Sequence, residues 1–245
     1  MNSDTGMAWR IEAMGDCSLI VEFGRCISPE INQTARAFAA YVLAHPIAGV
    51  TDVVPAFTTV ALHYRPEAVI DGLPGVTDEL PFQRLRRRVE AMLAQDIARE
   101  QRAARVIEVP VCYGGEFGPD LAEVAAACNL TPEAVIELHR ASPHVVYMLG
   151  FAPGFPYIGG LDQRLAMPRR STPRERVPAG TVAIARDQTA IYSLETPGGW
   201  NMIGRTPLKL FNPLADPPCL LQAGDELRFV PISPQQYQTI QEQQA

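Results

Sequence analysis

The stretch ASPHVVYMLGFAPGFPYIGGL, from Ala141 to Leu161, contains no formally charged side chain, although Arg140 and Asp162 border it directly. It is about as long as a membrane-spanning helix, which needs roughly 20 mostly apolar residues. Prolines and glycines interrupt it throughout, so a helix in lipid would leave backbone polar groups without partners. We therefore exclude a membrane span. The segment His144 to Leu149 instead predicts a short buried strand, because it is rich in β-branched and aromatic residues, and an apolar loop of glycine and proline follows it.

The regions on both sides of this stretch contain more short β-rich runs. They are VIEVPVCY (106–113), TVAIA (181–185), TAIYSL (189–194), MIGRTPLKLF (202–211) and DELRFVP (225–231). Two short helices are predicted before it, one from Asp120 to Cys128 with a capping box between Asp120 and Glu123, the other from Thr131-Pro132 to about His139. Many short strands separated by glycine and proline turns are typical of a closed or nearly closed barrel. Such barrels carry their sites in the loops at the rim.

The N-terminal half has a different pattern and is predicted to be a small α+β domain. Its strands are WRIEAM (9–14), SLIVEF (18–23), VTDVVPAF (50–57) and TTVALHY (58–64). Ser28-Pro29 opens a helix that ends at His45-Pro46, and a second helix is predicted from about Asp78 to Ala104. The second helix contains a basic cluster, Arg84, Arg86, Arg87 and Arg88. Acidic residues interleave with this cluster, which favours a solvated helix face over a docking patch.

Composition excludes several classes of function. The chain has 245 residues, 47% of them hydrophobic, and a net charge of −6. This is a normal globular mixture, and nothing in it favours binding to nucleic acid or to an anionic membrane. The first twenty residues contain charged side chains and no apolar block, so we expect no signal peptide and a cytoplasmic location.

The cysteines and lysine narrow the chemistry further. The five cysteines have no Cys-x-x-Cys spacing, so we expect buried thiols rather than disulfides or a metal site. The only lysine is Lys209, and it does not follow a glycine-rich phosphate loop. If ATP is used, we expect another chain to supply the phosphate-binding loop.

Three ordered motifs carry a resemblance to a known family. They are GFAPGFPYIGGLD (150–162), MPRRSTPRERVPAGTVAIARDQTAIYS (167–193) and TPGGWNMIGRTPLKLFNP (196–213). Segment by segment they resemble the family of the 5-oxoprolinase B subunit, also called the KipI or allophanate-hydrolase subunit 1 family. The resemblance is strong over 106–232 and weaker but collinear before it. The sequence departs from the family pattern at Arg186 and Ala190, where glycine is expected, and at Ser193, where proline is expected.

The resemblance implies a fold, an activity and partners. The fold is an α+β N-terminal domain (1–105), then a mainly β, cyclophilin-like barrel domain (106–232) and a polar C-terminal tail (233–245). The activity is the opening of 5-oxo-L-proline to L-glutamate with ATP consumed, carried out with subunits A and C. ATP would bind through the assembled complex, and this chain would be inactive alone.

Ring opening of a lactam needs cationic groups, and the second motif begins with a proline-punctuated loop that contains several arginines. A lactam is a poor electrophile, and its hydrolysis is driven by phosphorylation of the amide oxygen followed by attack of water, with negative charge developing nearby. Arg169, Arg170 and Arg205 are the candidate anion-binding residues, since guanidinium groups bind carboxylate or phosphate with two donors. Arg174 and Arg176 lie in the same loop. The alternative for each arginine is a salt bridge that fixes a loop.

Two further groups of polar residues are candidates. His139 closes the second helix of the barrel domain and Tyr147 follows it, so a histidine of near-neutral pKa there could transfer protons. Alternatively, His139 is a structural imidazole at the end of a helix, where the helix dipole favours it or the backbone forms its hydrogen bonds. Gln188, Thr189 and Tyr192 could orient a small amide, although alternate strand residues fill a barrel interior by default.

The opening stretch itself is predicted to form a stiff apolar wall. Pro153, Gly154, Phe155 and Tyr157 would form this wall at the rim, and Trp200 would face it. Phe155 lies between Gly154 and Pro156, where no regular strand is expected, so we expect it at the rim, facing a partner chain or the substrate, rather than in the buried core. The Trp200 indole could instead plug the end of the barrel. The alternative is a corner that only closes the barrel and packs on a partner chain.

Three functions remain open at this point. The first is a hydrolase subunit, and the second is a regulatory module that inhibits a sensor histidine kinase, as KipI-type relatives suggest. The third, prolyl isomerisation, follows from the barrel fold alone, and no Phe-x-x-His-Arg cluster supports it. The same motifs also resemble the substrate half of urea carboxylases, but this chain has no Met-Lys-Met biotin site.

Overall fold

The computed structural model describes residues 9–76, 78–95 and 105–244. The backbone divides into two compact units, Met1–Ala103 and Ala104–Ala245. Each unit has its own hydrophobic core, and each is described separately below.

In the described part of the first unit, four strands form an antiparallel sheet in the order β1-β2-β4-β3. These strands are β1 Arg10–Ala13, β2 Ser18–Glu22, β3 Val50–Pro55 and β4 Thr59–Tyr64, and the helices are α1 Pro29–Ala44, α2 Pro66–Gly72 and α3 Pro81–Leu93. The Ser28 hydroxyl accepts a hydrogen bond from the Ile31 N–H at 3.2 Å, which fixes the start of α1. The predicted strands and the bounds of α1 are confirmed.

The second predicted helix is shorter than expected. It begins at Pro81, a favoured first helical position, and ends at Leu93. Residues 94 and 95 do not continue it, and residues 96–104 lie outside the described residues. The basic cluster on it is also not uniformly solvated: Arg84 is 8% exposed and donates to the carbonyl oxygens of Ile70, Leu73 and Val76.

The second unit is built on a closed barrel, as predicted. Its described residues form nine strands, β5 Val106–Tyr113, β6 His144–Leu149, β7 Pro156–Gly159, β8 Arg174–Val177, β9 Thr181–Ala185, β10 Gln188–Ile191, β11 Thr196–Gly198, β12 Asn201–Arg205 and β13 Glu226–Pro231. Seven of them close the barrel in the order β10-β7-β6-β13-β5-β12-β9, and β8 pairs with β11 outside it. Within the barrel β5 and β13 run parallel, and the other pairs are antiparallel. Aliphatic side chains fill its core.

Helices flank the barrel strands in sequence. They are α4 Leu121–Ala127, α5 Pro132–Ala141 and α6 Pro234–Gln243. The Thr131 hydroxyl accepts from the Ala134 N–H at 3.2 Å, so the predicted start of α5 is confirmed. The segment expected to be a polar tail contains α6, which begins with a capping box between Ser233 and Gln236 and buries Tyr237.

Three local predictions are wrong. Asp120 does not cap α4, because its carboxylate binds other groups described below. Pro156 begins a strand instead of continuing the loop, and the first residue of a strand is a position that tolerates proline. The run 202–211 is a strand only as far as Arg205.

The β9–β10 hairpin forms despite its departures from the family pattern. Its turn is Arg186-Asp187, and Arg186 has φ +54°, the left-handed conformation that explains why glycine is expected there. Arg186 N–H and Met167 C=O are hydrogen bonded, which holds the turn to the preceding loop.

The cysteines are free, but they are not all buried. Cys112 is buried, Cys128 and Cys219 are partly buried, and Cys17 and Cys26 are exposed, which corrects the prediction of five buried thiols. Among the residues in the structure, His, Cys, Asp and Glu form no group of three or more that could hold a metal ion. Over the same residues, none of the helices combines the length and the apolar character needed to cross a membrane.

Candidate functional site

A pocket of about 240 Å³ lies against the second unit and collects several of the predicted site residues. Five aromatic side chains line it: Phe151, Phe155, Tyr157, Tyr192 and Trp200. The other lining residues are Arg169, Pro173, Pro197, Gly198 and Gly199. Small-molecule sites are typically apolar with a few polar groups, and this volume is below the roughly 300–1,000 Å³ of sites for drug-sized ligands. The pocket therefore suits a small metabolite.

The aromatic wall is centred on Phe155. Its ring centroid lies 5.1 Å from Tyr157 and 5.2 Å from Tyr192, both edge to face, and 6.5 Å from Trp200. Edge-to-face pairs are favourable because the ring edge is positive and the ring face negative. Phe155 is 2% exposed, and Trp200 is also buried. Phe155 therefore lines the pocket but is buried, so the expectation that it lies outside the buried core is wrong.

The loop between β6 and β7 turns Phe155 inward and Phe151 outward. The Phe155 N–H donates to Ala152 C=O at 3.1 Å, and its C=O accepts from the Gly150 N–H at 3.0 Å. Phe151 is 66% exposed and has φ +72°, which is strained for a residue with an aromatic side chain. Phe151, not Phe155, is the aromatic residue of this loop that lies outside the buried core. Its position between two small residues, Gly150 and Ala152, was the one sequence signal for it.

Close backbone approach shapes the pocket beside Tyr192. A Cβ on Gly198 would lie 2.1 Å from the Tyr192 hydroxyl, so only glycine lets the PGGW turn pass the phenol. Burial raises the pKa of Tyr192 above its ordinary value, which keeps the phenol protonated and able to donate.

Arg169 is the charged residue of the pocket lining. Its guanidinium carbon lies 5.7 Å from the centroid of the Trp200 ring, a cation–π distance. Within the part of the chain that the structure describes, no carboxylate forms an ion pair with Arg169. Arg169 is exposed and lines the pocket, so its donors are available to an anion.

The other predicted arginines do not join Arg169. Arg170 and Arg174 bind the buried carboxylate of Asp120, so for them the salt-bridge alternative holds. Arg205 ends β12 and interacts with Tyr237 of α6, outside the pocket lining. The Arg176 side chain is 83% exposed, and its Nε lies 3.9 Å from the Glu195 Oε1.

The remaining wall and amide candidates are also dispersed. Pro153 is exposed in the loop, and Gly154 is buried with φ +71° against Leu210 and Phe211. Gln188 begins β10 and is half-buried, and Thr189 is fully buried. None of these four residues lines the pocket.

His139 lies in the barrel core, not at the pocket. It is fully buried, with its Nδ1 2.8 Å from the Tyr113 hydroxyl and its Nε2 3.1 Å from the Thr189 hydroxyl. The Thr189 hydroxyl donates to Ala183 C=O at 3.0 Å, so it accepts from Nε2–H, and Nδ1 accepts from Tyr113. The imidazole is therefore neutral and satisfied.

Burial, with a smaller effect of His144, holds the pKa of His139 well below its ordinary 6.5. The prediction of a near-neutral pKa for His139 is therefore wrong. Tyr147 is also buried and packs against Gly159, where a Cβ would meet its ring. The structure does not bring His139 or Tyr147 to the lining of the pocket.

Comparisons with known proteins agree with this architecture. The model of the family "Carboxyltransferase domain, subdomain C and D" matches residues 9–221. The B subunit of the 5-oxoprolinase of Bacillus subtilis (strain 168) is 46% identical over 96% of this chain and 98% of its own length. The corresponding 5-oxoprolinase chain of Escherichia coli O157:H7, also a B subunit, is 47% identical over 66% of this chain and 78% of its own.

A solved structure supports the same assignment. The crystal structure of TTHA0988 superimposes with a TM-score of 0.74 at 38% identity, over 88% of this chain. This chain spans 40% of the length of TTHA0988. On the family match and the end-to-end identity, the chain belongs to the family of 5-oxoprolinase B subunits.

Proposed function

We propose that this chain is the B subunit of a 5-oxoprolinase that opens 5-oxo-L-proline to L-glutamate while ATP is hydrolysed to ADP and phosphate. The observation that carries the proposal is the 46% identity with a protein of that name over 98% of that protein's length. Identity at this level along the whole length favours the same role in the same kind of assembly.

The pocket supports a substrate-binding role within that assembly. 5-Oxo-L-proline is a small ring with one carboxylate and one lactam. Arg169 would bind the carboxylate, because its fork of N–H donors matches the two carboxylate oxygens. Trp200 and Phe155 would contact the ring, and the protonated Tyr192 would donate to an acceptor on it.

The same walls would exclude bulk water from the lactam. Water that is displaced from a site no longer screens its charges, so the guanidinium interacts more strongly with the ligand. ATP would phosphorylate the amide oxygen with release of ADP, and water would then attack the activated carbon while the C–N bond breaks. A second water releases the phosphate, so that the sum is addition of one water across the lactam and hydrolysis of one ATP. We place ATP binding in the assembled complex with subunits A and C, because Lys209, the only lysine, is exposed and follows no phosphate-binding loop.

Reconstitution tests the proposed function. The chain is co-expressed with candidate A and C subunits, and glutamate and ADP are measured with 5-oxoproline and ATP present. We expect turnover with all subunits present and none from this chain alone. Full activity of the isolated chain would contradict the role of a subunit, and no turnover by a stable complex of all three would contradict the activity.

The role of Arg169 gives a separate prediction. Arg169→Lys keeps the charge but loses the two-pronged geometry, so we expect the KM for 5-oxoproline in the complex to rise roughly ten-fold. Arg176→Lys is the matched control, because Arg176 is a neighbouring arginine on the exposed side of β8 and should tolerate the change. Steady-state kinetics of both variants provide the measurement. An unchanged KM in Arg169→Lys and in Arg169→Ala would exclude carboxylate binding by Arg169.

A further inference from the structure

Asp120, immediately before α4, is a buried carboxylate with an unusual set of partners. It is 3% exposed. Arg174 donates to it through both terminal nitrogens, at 2.7 and 2.9 Å, and Arg170 donates at 3.2 Å. The backbone N–H of Met202 donates to the same carboxylate at 2.7 Å. The Asp120 side chain therefore joins the start of α4 to β12 and to the loop from Pro168 to Arg174.

We propose that Asp120 is a positioning residue for the pocket: through Arg170 and Arg174 it holds Arg169 in place over Trp200. This inference rests on the proposed function in one respect, the identity of the ligand that Arg169 binds. The geometry itself concerns only groups within this chain.

The loop from Pro168 to Arg174 is attached by a hydrogen bond on each side of Arg169. The Arg170 N–H donates to Gly199 C=O at 2.8 Å, and the Asn201 side chain donates to Pro168 C=O at 2.9 Å. Arg169 lies between these two attachments, and Gly199 and Trp200 form the wall that it faces. A shift of Arg170 would therefore move Arg169 relative to the Trp200 ring.

The second half of the loop depends on the same carboxylate. The two hydrogen bonds from the Arg174 guanidinium to Asp120 hold Arg174 in place. Arg174 directly follows Pro173, which lines the pocket. Bidentate guanidinium–carboxylate pairs restrict orientation more than single hydrogen bonds do. Asp120 thus holds Arg170, which directly follows Arg169, and Arg174, which directly follows Pro173.

Charge balance explains why the Asp120 carboxylate tolerates burial. Arg170 also donates to Glu123 at 3.0 Å, so two arginines face two carboxylates. Replacing a buried ion pair by apolar residues often costs no stability, so such a pair is better explained by the geometry that it specifies. Fixing one loop conformation is the role that we assign to Asp120.

A double-mutant cycle in the assembled complex tests the proposal. We expect Asp120→Asn to raise the KM for 5-oxoproline about ten-fold with a much smaller change in kcat, because one hydrogen-bond acceptor and the charge are lost. In an Arg169→Ala background, the same substitution should leave KM within about two-fold, since Asp120 acts through Arg169. Glu137→Gln is the control, since Glu137 loses only an exposed pair with Arg140. If Asp120→Asn raises KM by the same factor in the Arg169→Ala background as in the wild type, the two residues act independently and the proposal is overturned.

A second measurement needs no substrate and separates this inference from the proposed function. With Trp9→Phe, Trp200 is the only tryptophan in the chain. The guanidinium over its ring should limit acrylamide quenching of its fluorescence, and Asp120→Asn should raise the quenching constant about two-fold. Arg174→Lys, which keeps the charge, is a second variant if Asp120→Asn does not fold. Unchanged quenching in the folded variant would overturn the positioning role, whereas raised quenching in a complex without turnover would contradict only the proposed function.

Discussion

Phe155→Ala is expected to lower the free energy of unfolding of the barrel unit by about 3–5 kcal/mol, the usual cost of truncating a buried Phe. The side chain is 2% exposed, and its ring contacts Tyr157, Tyr192 and Trp200. Truncation would leave a cavity at the centre of the aromatic wall, and the rigid strands around it can close that cavity only in part. Urea denaturation followed by Trp200 fluorescence in the Trp9→Phe background would measure the loss.

Phe151→Ala is the matched control, since it makes the same chemical change four residues away. Phe151 is 66% exposed, so we expect a change of within about 0.5 kcal/mol. The two variants separate burial from residue type. A small loss in Phe155→Ala, or an equal loss in both variants, would show that the loop between β6 and β7 does not place these rings as described.

The order of Phe151 and Phe155 shows one limit of sequence reasoning. Glycine and proline around Phe155 correctly indicate a turn, but composition does not say which of two aromatic residues points inward. That depends on the hydrogen bonds between Gly150, Ala152 and Phe155 and on the rings of Tyr192, directly after β10, and Trp200, directly before β12. The contacts form only once the barrel closes.

Local patterns predicted most of the elements because local physics forms them. Strands such as His144–Leu149 are short, apolar and β-branched, and helices such as α1 and α5 begin at a hydroxyl followed by proline. These signals lie within a few residues of the element that they predict. The barrel follows from many such strands with turns between them.

The candidate site was only partly predictable, because its organising contacts are distant in sequence. Asp120 has the spacing of a capping box with Glu123, yet its partners are Arg170, Arg174 and Met202, which are 50 to 82 residues away. Residue type identified Arg169 and Trp200 as candidates. Only the folded chain distinguishes Arg169, which faces the pocket, from Arg170, which is held by Asp120.

The buried histidines lead to the second large prediction, a loss of stability in mild acid. His144 is 1% exposed and its Nε2 lies 2.6 Å from His139 C=O, while burial lowers its pKa to about 4 from an ordinary 6.5. The pKa of His139 is lowered in the same direction. Between about pH 6.5 and 4 the unfolded chain therefore binds protons that the folded chain does not.

Proton linkage gives the direction of the change in stability. The two histidines contribute their full stability above the pKa that they have in the unfolded chain. This contribution is lost as the pH falls from that value toward their lower pKa in the folded chain. For His144 alone, the difference between 6.5 and about 4 corresponds to a loss of about 3 kcal/mol, and His139 adds to it. We expect the free energy of unfolding of the barrel unit to be constant with respect to these two groups above about pH 7.5. Urea denaturation at intervals from about pH 8 to about pH 4.5 would measure the slope.

Two variants separate proton linkage from packing among the contacting rings of His139, His144 and Phe229. His144→Gln removes one titrating group, so the slope of stability against pH in the acid range should become shallower, whatever its effect at neutral pH. Phe229→Leu is the control, because its ring lies 4.4 Å from His139 and 4.8 Å from His144 and does not titrate. It should lower stability by a similar amount at every pH, since only packing is lost. If His144→Gln keeps the full slope, or if Phe229→Leu flattens it as much, the acid sensitivity of the barrel arises elsewhere.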